Sequence, residues 1–276
     1  MYFKVSKKEF YNALSVAARA ISTFSPLPAF SGVKIEATMD CLILTGSDSD
    51  ISIQTKLKKS EHCVLEIHDM GSIVIEAKYI LEIVRKIDAD EIEFEMLDGS
   101  LTKISGNTAE FRINGMRASE YPAIDFSKPN ECFNVSEDIL KKIILQTSFA
   151  TSDKETRPVL TGVNFQCKEH QLHCVATDSY RLAKKTVEIE ESLNFNITIP
   201  AKSLQEVVKT LEGEGDVEIA VNDKKAQFII HDTIVQTRLI DGVYPETSRL
   251  IPLQFDYELT IDAHDLLNAI DRASFI

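Results

Sequence analysis

Residues 75–87 read IEAKYILEIVRKI, and residues 199–211 read IPAKSLQEVVKTL. In both, an apolar residue and Ala-Lys precede apolar side chains spaced i, i+3, i+4, i+7, at an offset of 124 from Ala77 to Ala201. Ile80, Ile83, Val84 and Ile87 make the apolar face of the first copy; Leu204, Val207, Val208 and Leu211 make that of the second. This spacing predicts two amphipathic helices. Each is followed by an acidic alternating stretch, EIEFEM or DVEIAV, that reads as a half-buried strand.

Other landmarks recur. Tyr121-Pro122 returns as Tyr244-Pro245, and Ser47-Asp48-Ser49 as Thr177-Asp178-Ser179. An opening signature occurs three times: FKVSKKEF at 3–10, FNVSEDIL at 133–140 and LTIDAHDL at 259–266. In each, a strand end precedes Ser6, Ser136 or Asp262, a helix N-cap whose oxygen accepts from the first-turn N–H groups. Ser6 and Glu9 are spaced for a capping box. Short alternating stretches fill the units: VKIEAT, CLILTG and ISIQTKL in the first, NITIP, AQFIIH and IVQTRLI in the second. The pattern predicts an α+β fold of tandem repeats, each mainly antiparallel sheet with two helices on one face. The expected domains are 1–126, 127–253 and an opening fragment of a third at 254–276, with linkers at 126–131 and 251–256.

Composition narrows the function. The 276 residues are 44% hydrophobic and 26% charged, as in ordinary globular chains, so a sizeable core is expected. Lys plus Arg total 30 against 43 Asp plus Glu, a net charge of −13, so most of the surface repels DNA and anionic membranes. The sequence lacks GxxxxGK[ST], a membrane-length apolar run and a signal-peptide h-region, which leads to a cytoplasmic expectation.

Five cysteines, Cys41, Cys63, Cys132, Cys167 and Cys174, form no framework and read as reduced thiols. Cys167, His170, His173 and Cys174 are close enough in sequence for zinc. Alternation on both sides instead reads as a β-hairpin with the two cysteines facing inward. Asp48 and Asp50 suggest a magnesium pair, but the second copy keeps Asp178 and Ser179 and puts Arg181 near the place of the second carboxylate. A repeated turn accounts for that better. With neither HExxH nor GxSxG in the sequence, there is no nucleophile–base constellation, and the expectation is a non-catalytic protein without cofactor or metal.

The helical segments hold the cations. Residues 6–20, 77–87, 136–150 and 201–211 together carry +5, leaving −18 elsewhere. Helices sharing one side would set a positive strip on an acidic body, fit to steer a polyanion onto one face.

Glu155-Thr-Arg-Pro-Val-Leu-Thr-Gly-Val-Asn164, Val175-Ala-Thr-Asp-Ser-Tyr-Arg-Leu182 and Asp241-Gly-Val-Tyr-Pro245, with the AKxxxEIVRKI helix and the N-terminal FKVSKKEF, closely resemble the bacterial DNA polymerase III beta subunit family, the sliding clamps. The resemblance covers essentially the whole chain. It implies a processivity factor that tethers polymerase to duplex DNA by topology, in a head-to-tail homodimeric ring of three domains per subunit, with helices lining the pore. Carried over by position, the DNA-facing candidates are Lys78, Lys154 and Lys202, then Lys7 and Lys141. Phe24 stands where the family often has a basic residue, so that contact is not carried over. The family's groove for short Leu- or Phe-anchored peptides of polymerase, clamp loader and repair proteins maps to Leu160, Thr177, Ser179, Tyr180, Arg181, Leu182, Pro245, Arg249 and Leu250. Ser179 stands where Gly is common, and Leu250 where a smaller Val often sits. The resemblance also implies that most of a third domain, one wall of the groove, is missing from 276 residues, and that this chain is monomeric or weakly self-associated. Two readings compete: a metal-dependent nuclease or phosphotransferase using Asp48 and Asp50, and an interaction scaffold without a nucleic-acid role.

Overall fold

The structure, a computed structural model, describes residues 1–22, 27–252 and 254–275. Phe24 and Leu253, within two of the expectations above, lie outside the described residues. Two compact units are present, Met1–Gly242 and Val243–Ile276.

The first repeat opens with β1 (Tyr2–Ser6) and α1 (Lys7–Ala18). The strands β2 (Gly32–Ala37), β3 (Cys41–Ser47), β4 (Ile51–Lys58), β5 (Leu65–Asp69) and β6 (Gly71–Glu76) follow. It closes with α2 (Ala77–Lys86), β7 (Glu91–Asp98), β8 (Leu101–Gly106), β9 (Ala109–Asn114) and β10 (Met116–Arg117). The second repeat begins with β11 (Glu131–Ser136), α3 (Glu137–Thr147), β12 (Gly162–Thr177) and β13 (Leu182–Pro200). It continues through α4 (Ala201–Thr210), β14 (Asp216–Val221), β15 (Lys225–Ile230) and β16 (Thr233–Arg238).

Every strand pairing is antiparallel, and each repeat packs its two helices against each other and against its strands. The reason lies in the alternation. Phe3 and Val5 on β1 point inward with Phe94 on β7 and Phe10 on α1, and the Phe3 and Phe94 rings stack at 4.8 Å. Ile80 and Val84 of α2 complete that core. Phe133, Leu140, Phe165, Leu204, Val207 and Phe228 build its counterpart in the second repeat. The i, i+3, i+4 apolar faces are the faces that are buried.

The repeats are joined edge to edge. β4 pairs with β16 from Thr55↔Thr233 to Ile51↔Thr237, so one nine-stranded sheet, β10-β6-β2-β3-β4-β16-β15-β14-β11, runs through both. The Thr55 and Thr233 hydroxyls bond across the joint at 2.8 Å. A second sheet, β5-β1-β7-β8-β9, belongs to the first repeat alone. β12 and β13 pair with each other and cover in two long runs the part of the second repeat that β2 to β6 cover in the first.

Two expectations need correction. Ser136 does cap α3, accepting from the Ile139 N–H at 3.3 Å, but Ser6 does not cap α1. Its hydroxyl oxygen accepts from the Val64 N–H at 2.8 Å, a tertiary bond that takes the oxygen from the capping box with Glu9. Residues 162–177 are also one continuous strand rather than two strands joined by a loop. At the predicted turn the register shifts between Glu169 and Gln171, and Glu169 takes a left-handed φ of 57°.

In the unit Val243–Ile276, Ser248–Leu250 forms a 3₁₀ turn and Ala263–Ala273 forms α5. The Asp262 carboxylate caps α5, accepting from the His264 and Asp265 N–H groups at 2.9 and 3.0 Å.

Candidate DNA-facing lysines and partner groove

Lys78 and Lys202 occupy the second positions of α2 and α4 and are exposed. A cation in the first helical turn opposes the helix dipole, at a cost of ~0.3–1 kcal/mol, so helix stability does not account for them. Their i+4 neighbours, Glu82 and Glu206, are engaged elsewhere. Glu82 pairs with Arg85 at 2.8 Å and Lys86 at 3.3 Å, and Glu206 with Lys209 at 2.7 Å. Lys141, midway along α3, and Lys154, in the loop beyond it, are exposed as well. Among the described residues, none of these four lysines forms an ion pair, whereas Lys142 beside Lys141 pairs with Asp138 at 3.7 Å. Lys7 differs. It is half-buried, and its Nζ donates to the Ile87 carbonyl at 2.5 Å, tying α1 to the end of α2.

The groove candidates of the first unit surround one turn. Thr177 Oγ1 accepts from the Ser179 N–H at 3.1 Å and donates to the Arg181 carbonyl at 2.7 Å. Asp178 Oδ1 accepts from the N–H groups of Tyr180 and Arg181, both at 2.9 Å. Those backbone bonds, with the Arg181 guanidinium, hold the Asp178 carboxyl below the usual carboxylate range. The turn throws Tyr180 into solvent, 96% exposed, and leaves Leu182 half-buried. Leu160 lies at the end of a 3₁₀ turn started by Pro158 and is buried.

Two residues here were not singled out from sequence. Phe149, 58% exposed, carries the Arg181 guanidinium 5.9 Å from its ring centroid, a cation–π contact that adds to the Arg181 Nε–Asp178 bond of 3.0 Å. Arg157 donates to the Ser179 hydroxyl at 3.4 Å. The only sequence signal for Phe149 is an aromatic just past the polar end of a helix. Pro245, Arg249 and Leu250 belong to the second unit, where all three are exposed and Arg249 sits in the 3₁₀ turn.

Ser47, Asp48 and Ser49 build the same turn in the first repeat. Ser47 Oγ accepts from the Ser49 N–H at 3.1 Å and donates to the Ile51 carbonyl at 3.0 Å, while Asp48 Oδ1 accepts from the Asp50 and Ile51 N–H groups at 3.0 and 2.9 Å. Asp48 is therefore a turn-forming carboxylate, and the geometry gives no support to a metal-dependent nuclease or phosphotransferase built on Asp48 and Asp50. Nor do the cysteines and histidines converge. Cys167 and Cys174 are buried in the second core, where burial raises both thiol pKa values. His170 Nδ1 lies 3.1 Å from the Glu190 carbonyl and His173 Nδ1 lies 2.9 Å from the Thr186 hydroxyl, both toward the surface.

Among the described residues, no helix is long and apolar enough to cross a membrane. The family model of the DNA polymerase III beta subunit N-terminal domain matches residues 1–125, and that of its central domain matches residues 134–246. The beta sliding clamp of Bacillus subtilis is 38% identical over 281 residues, covering 100% of this chain and 74% of the relative. The crystal structure of the Bacillus subtilis DNA polymerase sliding clamp matches at 36% identity with a TM-score of 0.96, over 99% of this chain and 73% of that one. A sliding clamp from Bartonella birtlesii, solved bound to griselimycin, matches at 28% identity and a TM-score of 0.90, over 99% and 73%. The chain belongs to the DNA polymerase III beta subunit family, the sliding clamps.

Proposed function

We propose that this clamp chain faces duplex DNA with Lys78, Lys141, Lys154 and Lys202, and docks its partners through Leu160, Leu182 and Arg181. In this role it is a non-catalytic accessory subunit, and polymerase, clamp loader and repair proteins reach it through short peptides. The observation that carries the DNA assignment is that, among the described residues, these four lysines are exposed and form no ion pair, while Arg85, Lys86, Lys142 and Lys209 near them on the helices are tied to carboxylates. Such lysines contact phosphates without reading sequence, which suits sliding. Lys7 is set aside as a direct contact, because its ammonium is held by Ile87. The groove reading is supported by the fixed Thr177–Arg181 turn, and by a relative of the same fold that was solved with a bound ligand. Ring closure by a second subunit belongs to the same reading and rests on family membership.

Charge reversal of Lys78, Lys154 and Lys202 tests the assignment. Fluorescence anisotropy with labelled duplex at low salt should show weakened binding and a reduced salt slope. Binding of a Gln-Leu-x-Leu-Phe peptide should remain. Lost peptide binding with unchanged DNA binding would contradict the site map.

A further inference from the structure

We propose that the first repeat carries a second docking cleft, related by the internal repeat to the groove at Leu160 and Leu182, which takes a short peptide setting one apolar side chain between carboxylates. The assignment rests on the groove reading above. A cleft of about 450 Å³ lies between the repeats, within the unit Met1–Gly242. One side is formed by Phe30, Ser49, Ser52, Pro122 and Ile124, the other by Lys224, Gln236 and Arg238.

The first side repeats the groove element by element. Phe30 lies in the 3₁₀ turn Pro28–Ser31 before Gly32, as Leu160 lies in the 3₁₀ turn Pro158–Thr161 before Gly162. Ser49 and Ser52 follow the Ser47-Asp48 turn as Ser179 and Leu182 follow Thr177-Asp178. Pro122 occupies the sequence place of Pro245. The opposite wall is supplied by the second repeat, so both sides of this cleft are present in one compact unit.

Its chemistry differs from the groove in a way that names the ligand. Where the groove has Leu182, this cleft has Ser52, whose hydroxyl bonds Ser47 at 2.8 Å, and Phe30 is packed edge-on against Tyr121 at 5.3 Å. The apolar seat is formed by Leu27, Pro122, Ala123 and Ile124, which suits an aliphatic side chain. The charges differ too. Lys225 is held by Asp125 at 3.3 Å, while Lys224 and Arg238 are exposed and form no ion pair among the described residues. Only Asp50 opposes these two cations across the lining, so the cleft is net positive on a chain of net charge −13. Carboxylates beside the aliphatic side chain complement it.

The probe is the peptide acetyl-Gly-Asp-Leu-Asp-Gly-amide, titrated into the ¹⁵N-labelled chain and followed by amide chemical shifts. Shifts are expected at Ser49, Ile124 and Arg238, and they should persist in Leu182→Asp, which removes the other groove. Lys224→Glu combined with Arg238→Glu, both on the surface, should weaken the response about tenfold. Four results would overturn the proposal: no shifts at millimolar peptide, equal response to the Asn-for-Asp peptide, shifts confined to Leu160 and Leu182, or shifts at this cleft with a short DNA duplex but not with the peptide. Failure of the first groove is read separately, from the Gln-Leu-x-Leu-Phe peptide against Leu182→Asp.

Discussion

Ser49 and Ser179, at matching places in the two repeats, share a left-handed backbone, with φ of 89° and 80°. Each amide donates to a hydroxyl two residues back at 3.1 Å, so the same local network holds the same uncommon conformation twice. A left-handed φ costs a residue with a Cβ roughly 1–2 kcal/mol. Glycine avoids that cost but loses more entropy on folding. Ser179→Gly should therefore leave stability unchanged or raise it by up to ~1 kcal/mol, and Ser179→Val should lower it by at least ~1 kcal/mol. Urea midpoints of the two variants check the order; a less stable glycine variant would count against the strain.

Lys78→Gln and Lys202→Gln should separate stability from DNA binding. Removing an unfavourable dipole contact gains ~0.3–1 kcal/mol, and no ion pair is lost, because Glu82 and Glu206 are held by Arg85, Lys86 and Lys209. The melting temperature should therefore stay level or rise slightly. The salt slope of duplex binding should fall by about one for each lysine removed. Unchanged binding in the double variant would place these side chains away from DNA.

Gly32 and Gly162 are held by close backbone approach. A Cβ at Gly162 would stand 2.6 Å from the Ile199 carbonyl oxygen, and one at Gly32 would stand 2.9 Å from that of Ile75. Backbone cannot rotate away as a side chain can, so Gly162→Ala is expected to cost ~1–3 kcal/mol. Thermal denaturation measures it, and a loss below about 0.5 kcal/mol would show that β13 gives way.

Acid should act on the link between repeats through Asp125. The Ser127 hydroxyl and N–H, followed by Lys225, hold its carboxyl at about 2 instead of the ordinary 3.8. A carboxyl depressed on folding stabilises the fold above its unfolded pKa, and that contribution disappears as pH falls through the folded one. Asp125→Asn should therefore flatten the fall in stability between about pH 4 and pH 2. Urea midpoints across that window test it; parallel curves for the two proteins would dismiss the link.

Arg181→Ala should weaken binding of a Gln-Leu-x-Leu-Phe peptide by roughly three- to thirtyfold, the loss of a charged hydrogen-bonding group. Phe149→Ala should produce a smaller loss, because the ring orients the guanidinium without being its sole restraint. Calorimetric titration of both variants gives the ranking, and a larger loss for Phe149→Ala would make the aromatic ring the main contact.

Periodicity made much of this fold readable. The faces at Ile80 and Val84, and at Leu204 and Val207, were legible because helical spacing alone decides which side chains share a side. The Thr177–Ser179 turn was legible because its copy at Ser47–Ser49 repeats the residue types its bonds require. The Ser6 capping box does not form, since Val64, distant in sequence, competes for the same oxygen. The pairing of β4 with β16 left no mark on either strand, whose alternation suits many partners. Phe149 meets Arg181 only through folding, and no local pattern announces such a contact.

The pairing of Thr55 with Thr233 and its neighbours has a mechanical consequence. A flexible linker would let the two repeats swing independently, but a ladder of backbone bonds resists bending because several must break together, each worth about 0.5–1.5 kcal/mol. Met1–Gly242 is thereby a girder rather than a hinge. Force applied at one repeat is carried into the other with little compliance lost at the joint.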